Sequence, residues 1–237
     1  MSQAVKLILS CEHGGCEIPK PYAPLFKAHR KRLQSHEGVD LGALNYANAL
    51  SKKLKAPLYS NTISRLLIET NRSLHHRSVF SDITATLPKP EKEALIQTIY
   101  LPHRKAIEND IKESLKRVQR VVHIACHSFT PVLNGSKRDL DIGLLYDPKR
   151  TFENDFCMHW QRQLQSSTPW VVRRNHPYKG NADGLTTYLR KLFSPTQYLG
   201  IELETNQALW APRKSPQQYY EWLAESLKNC LHYLQQI

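Results

Sequence analysis

Short aliphatic, β-branched runs alternate with longer stretches of helical period along this chain, a rhythm that leaves few architectures open. Residues 5–10 read as a buried strand. Residues 40–55 read as a helix, with Leu44, Ala47, Leu50 and Leu54 recurring on one face. Short apolar strands are expected at 58–60 and 64–70, and 73–90 has no clear period and reads as loop. A long helix is expected over 91–120, disturbed at Pro102, whose ring has no N–H to give. Further strands fall at 121–125, 141–146, 170–173 and 198–204, and further helices at 151–165, just after 184 and at 217–236. End-to-end alternation predicts one α/β domain over 1–237, a sheet with helices on both faces. In such folds ligands sit where loops gather, at the carboxyl ends of strands. The residues His13, Asn71-Arg72, His127 and Glu204 stand at four expected strand ends, and parallel strands would bring them to one edge.

Composition narrows the function classes. Of 237 residues, 41% are hydrophobic, enough for a sizeable core and against disorder. No apolar run approaches the roughly 20 residues of a membrane helix. Residues 5–9 are too short for a signal-peptide core and no cleavage site follows, so a soluble, cytoplasmic protein without a membrane partner is expected. Five scattered cysteines do not form a disulfide framework. The formal charge of +12 suits nucleic acid, anionic lipid or an anionic small substrate. The basic residues are spread along the chain and no helix-turn-helix, RNA-recognition or finger pattern is present, so no specific nucleic-acid partner is expected.

His13 and His127 each follow an apolar strand and precede a small residue, Gly14 or Ser128. Two imidazoles and a carboxylate make an open zinc site, with a water in the fourth position. Periodicity leaves Asp40 and Glu37, both near the start of the 40–55 helix, as alternatives for the carboxylate, and an Asp there also serves as a cap. Arg65, Asn71 and Arg72 lie in one run, and guanidinium forks grip carboxylates with two bonds, although Arg65 could equally pair with Glu69. Glu202 and Glu204 alternate with aliphatics and share a strand face. A carboxyl at a buried strand end has a raised pKa and suits general-base work. Cys126 is expected to be a buried structural thiol, because neighbours on a strand face opposite ways and Cys126 and His127 make a poor dyad. His75-His76 is a loop doublet without a partner at metal spacing, and His103 and His176 read as rim residues.

Together these stretches resemble one family. Residues 10–15 (Ser-Cys-Glu-His-Gly-Gly) with Ile18-Pro19, then 36–43, 64–72, 127–131, 141–147, 175–178 and 202–204 are similar, in order, to the N-formylglutamate amidohydrolase family. The resemblance implies a zinc-carboxypeptidase-like fold, a mixed sheet between helices, and a zinc site whose histidines are His13 and His127; with Asp40 chosen over Glu37 as the carboxylate, one Zn2+ per chain is expected on His13, Asp40 and His127. It implies hydrolysis of the amide of an anionic N-acyl amino acid such as N-formylglutamate, with Glu204 as general base and Asn71 and Arg72 on the substrate carboxylate. Arg65 is the expected donor to the oxyanion. Other readings are an amidase or peptidase on another acyl-amino acid or a cell-wall peptide, or a binding protein that has lost catalysis on the same scaffold. The chain departs from the family at Glu69, where an Asp is common, at Asn206, where an Arg is common, and at Arg190-Lys191, where a His is expected.

Overall fold

In the computed structural model, which describes residues 4–210 and 216–236, the strands are β1 (Val5–Cys11), β2 (Leu58–Ser60), β3 (Arg120–Phe129), β4 (Val132–Leu133), β5 (Ser136–Lys137), β6 (Ile142–Leu145), β7 (Val172–Arg174) and β8 (Tyr198–Asn206). The α-helices are α1 (Arg30–Leu33), α2 (Ala43–Leu54), α3 (Lys89–Leu95), α4 (Leu101–Ser114), α5 (Thr151–Ser167), α6 (Leu185–Leu192) and α7 (Pro216–Leu234). Six strands form one sheet in the order β2–β1–β3–β8–β6–β7, and β4 and β5 form a separate hairpin. β2, β1, β3 and β8 run parallel; β6 turns antiparallel to β8, and β7 runs parallel to β6. The expected mixed α/β domain is therefore what forms.

The period-2 pattern of the strands divides the core. Leu7, Leu9 and Cys11 of β1, Val122, Ile124 and Cys126 of β3, and Leu199, Ile201 and Leu203 of β8 join one apolar cluster with Tyr46 and Leu50 of α2, Phe156 and Trp160 of α5, and Leu223 and Leu227 of α7. The opposite face carries Ile8, Val121 and Tyr198 under Ile107, Ile111, Leu185 and Leu189 of α4 and α6. That second face is also where Ser10, Glu12, His123, His127 and Glu204 fall by alternation, all of them buried. Burial of such polar groups requires partners, and the partners define the site described below.

Three expectations about elements are corrected. Residues 64–70 are a turn, with Leu67 N bonded to Ser64 O, and not a strand. Leu66, Leu67 and Ile68 are apolar because they are buried beside Phe26, Val79, Leu95 and Tyr100, and the Ser81 and Thr84 hydroxyls satisfy the Leu66 carbonyl. The helix expected over 91–120 is α3, a π-helical turn at Ile96–Tyr100, and α4, ending at Ser114. The wide turn sits just before Pro102, where an α-helical ring would crowd the carbonyl four residues back. Finally, β3 does not stop at Ala125. It runs to Phe129 in register with β8, so His127 lies opposite Glu204 inside the sheet.

Candidate active site

The parallel strands β1, β3 and β8 deliver His13, His127 and Glu204 to one end of the sheet; His13 lies two residues past β1 and leaves the strand's alternation, which would set it on the side of Leu9 and Cys11. Asp40 arrives from the loop before α2. Its N–H donates to the His13 carbonyl at 3.0 Å, and the Ser128 hydroxyl donates to the Leu41 carbonyl at 2.8 Å, so this loop is stitched to both strands. Gly42 then takes φ +82°, with the Trp210 ring where a Cβ would stand. Only glycine fits there. Asn71 and Arg72 come from the turn after Glu69 rather than from a strand end.

Asp40 Oδ2 is the point of convergence. It lies 3.2 Å from His13 Nδ1 and 2.9 Å from His127 Nδ1. The three residues are buried and offer ligand atoms all within 4.8 Å of one another. Glu37, the alternative carboxylate, is outside this group; it is half exposed and pairs with Arg32. The outer imidazole nitrogens face two further carboxylates. His13 Nε2 is 2.5 Å from Glu69 Oε1, and His127 Nε2 is 3.0 Å from Glu12 Oε2. Glu69 also accepts from Arg65, through Nε at 2.8 Å and Nη2 at 2.6 Å, while Arg65 Nη1 is 3.4 Å from Asp40 Oδ1. The Arg65–Glu69 pair that the spacing allowed does form, but its carboxylate is buried beside His13.

Electrostatics follow from this packing. Burial pushes the Asp40 carboxyl up, but His13 and His127 outweigh it and hold it below the ordinary range. Burial likewise opposes ionisation of Glu69, and Arg65 and His13 reverse it. For His13, burial and Arg65 disfavour the proton, yet Glu69 and Asp40 carry its pKa upward. For His127, burial is overcome by Asp40 and Glu12. Glu204 behaves in the opposite way. Burial, with Asp40 and Glu202 as like charges, raises it to about 8 although His127 pulls it down. Its Oε2 is fully buried and has no hydrogen-bond partner among the described residues.

This donor set fits a divalent cation. Glu12, Asp40 and Glu69 are negative, Arg65 is positive, and the two imidazoles are drawn toward their protonated forms to balance the rest. A dication held by His13, Asp40 and His127 would supply the same two charges with both rings neutral, the form in which imidazole ligates metals.

His13, Asp40, His127 and Glu204 line a pocket of about 480 Å3, within the ordinary range of small-molecule sites. Arg65, Asn71, Arg72, Glu202 and Lys179 also line it, with Phe129 and Tyr178 at its wall. Asn71 Oδ1 accepts the Leu185 N–H at 2.8 Å, so its Nδ2 is turned toward His127, at 3.5 Å from Nε2. Arg72 donates through Nη1 to the Asp183 carbonyl. Glu202 accepts from the Thr186 hydroxyl at 3.0 Å. Arg138 lies over the Phe129 and Tyr178 rings.

The remaining sequence candidates take other places. Cys126 is fully buried in the apolar face, where burial raises its thiol pKa. Asn206 is buried and donates to the Leu140 carbonyl at 2.9 Å. Arg190 is a buried structural cation, bonded to Glu153 at 3.0 Å and to the Gly180 and Gly200 carbonyls at 2.6 Å. His103 is not a rim residue of this pocket; it packs from α4 with Nε2 3.5 Å from Glu12 Oε1. Glu12 carried no role in the sequence reading. The signal was its position two residues after Ser10, just past β1 and next to a candidate ligand.

Residues 5–211 match the sequence model of the N-formylglutamate amidohydrolase family. A gene product of Agrobacterium tumefaciens is similar in structure, with 29% identity, a TM-score of 0.84, and coverage of 98% of this chain and 93% of its own. An N-formylglutamate amidohydrolase from Ralstonia eutropha shares the fold at 17% identity and a TM-score of 0.68, covering 99% of this chain and 94% of its own. No curated protein sequence matches the chain. Among the described residues no helix is long and apolar enough to cross a membrane. Matched over most of its length, the chain belongs to the N-formylglutamate amidohydrolase family, hydrolases of an amide bond.

Proposed function

We propose that this hydrolase is zinc-dependent and cleaves the amide of an N-acyl amino acid, N-formylglutamate being the first candidate. The observation that carries the reading is the convergence of His13, Asp40 and His127 in the same pocket as the buried Glu204. His13, Asp40 and His127 would hold one Zn2+ per chain. A bound zinc ion lowers the pKa of a ligated water to about 7 and polarises a carbonyl.

The chain's own residues supply the rest. Glu204 takes the proton of the attacking water and returns it to the leaving nitrogen; a partly desolvated carboxylate is suited to both transfers. Arg65, held in place by Glu69, donates to the oxyanion that develops on the attacked carbonyl. Asn71 Nδ2 and the remaining guanidinium donors of Arg72 hold the substrate carboxylate. Products are the carboxylic acid and the free amino acid.

One observation favours a second reading of the substrate. Asn206 stands where the family often has an Arg, and its amide is occupied by the Leu140 carbonyl. That favours an N-acyl amino acid without an acidic side chain. The test is zinc content of protein purified without added metal, then turnover on a panel of N-formyl and N-acyl amino acids. About one zinc per chain is expected, lost together with turnover in the His13→Ala, His127→Ala double variant. A folded wild type that takes up no zinc on reconstitution would sink the mechanism.

A further inference from the structure

Glu12 has no task in that mechanism, yet it is a fully buried carboxylate directly behind His127 of the site. Its backbone is pinned, since its carbonyl accepts from Asn61 Nδ2 at 3.2 Å and from Thr70 Oγ1 at 3.3 Å. Its two carboxylate oxygens face two imidazoles. Oε2 is 3.0 Å from His127 Nε2, and Oε1 is 3.5 Å from His103 Nε2. His127 thus faces a carboxylate at each end of its ring, Asp40 hydrogen-bonded at Nδ1 and Glu12 at ion-pair distance from Nε2.

A neutral imidazole carries one proton and one lone pair. A carboxylate at Nε2 keeps the proton there and leaves the lone pair on Nδ1, on the side of His13 and Asp40. The brace comes from a distant element. His103 follows Pro102 in α4, and the wide turn at Ile96–Tyr100 precedes both. We propose that Glu12, braced by His103, is a positioning residue that fixes the tautomer and orientation of His127 and so sets the cation affinity of the site. The inference rests on the reading of His13, Asp40 and His127 as metal ligands. Carboxylates behind ligating histidines typically contribute about 10- to 100-fold in affinity.

The test uses the full chain and the variants Glu12→Gln and His103→Ala. Zinc affinity is read by chelator competition, and the His127 tautomer by ring 15N shifts in the zinc-free protein at alkaline pH, where the ring is neutral. Expected for Glu12→Gln is a roughly 10- to 100-fold weaker zinc complex, with His127 shifted from the Nε2–H form to a mixture. His103→Ala should move both readouts the same way by less. Zinc affinity within twofold of wild type in Glu12→Gln, with the tautomer unchanged, would overturn the proposal and leave the zinc reading intact. Should Glu12→Gln fail to fold, His103→Ala carries the test, and unchanged affinity and tautomer there overturn it equally. Absence of zinc binding in folded wild type would overturn the zinc reading and this proposal with it.

Discussion

Glu202 and Glu204 lie on the same face of β8, but their surroundings assign them different work. Glu202 is half-buried and held by Thr186, while Glu204 is buried with one oxygen unpartnered and its pKa raised to about 8. A base must be ionised, so activity should rise with pH as Glu204 loses its proton. A bound cation opposite it lowers that pKa. The acid limb of kcat/KM should therefore fall between the ordinary carboxyl value and about 8. Glu202→Gln removes a like charge and should move the limb to lower pH while retaining most of the maximal rate. Glu204→Gln should lower kcat by roughly 10²- to 10⁴-fold with zinc still bound. Full turnover in Glu204→Gln would remove it from the role of base.

At the scale of elements, the sheet makes room for Glu204 where β6 runs antiparallel to β8. Gly143 sits opposite Glu204, and a Cβ there would lie 2.1 Å from the His176 carbonyl and 3.2 Å from Glu204 Cβ. Both obstacles are held by the fold, so Gly143→Ala should cost about 1–3 kcal/mol, an overpacking penalty. That is a fall in Tm of roughly 2–4 °C for each kcal/mol in a domain of this size. An unchanged Tm with wild-type kcat would show that the 175–184 loop yields. The same junction shows what the sequence could convey. β1, β3 and β8 were legible because their aliphatic alternation is strong, and the strand-end residues His13, His127 and Glu204 came with them. The turn at 64–70 was not, because three consecutive apolar residues look alike in a strand and in a turn buried under Phe26 and Tyr100. The i,i+4 pairing of Arg65 with Glu69 was the available hint. Glu12 was opaque for a different reason. Its partners His103 and His127 are remote in sequence, and only the packing of α4 on the sheet brings them together.

Across the whole molecule, one face of the sheet is an apolar core and the other mixes polar residues into its centre, which ties the site to global stability. His123 shows the coupling apart from the site itself. It is fully buried between the Ser10 hydroxyl, 2.7 Å from Nε2, and the Tyr198 hydroxyl, 2.8 Å from Nδ1. Burial lowers its pKa to about 4, against an ordinary 6.5. Between those values the unfolded chain takes up a proton that the folded protein refuses, so this contribution is whole above pH 6.5 and is lost as pH falls toward 4. His13 and His127 have the opposite sign. Their raised values favour the folded state as pH falls, and a bound cation cancels that advantage by taking the place of their protons. A single stability curve therefore mixes the two effects, and the difference between wild type and His123→Gln separates them. At fixed zinc loading, the stability of wild type relative to the variant, from urea unfolding, should grow with pH by at most roughly 1.4 kcal/mol per unit between about 4 and 6.5 and then level off. A difference that stays flat across this window would mean that His123 binds its proton equally in both states, and the acid sensitivity of the fold would then have to arise at the carboxylates of the site.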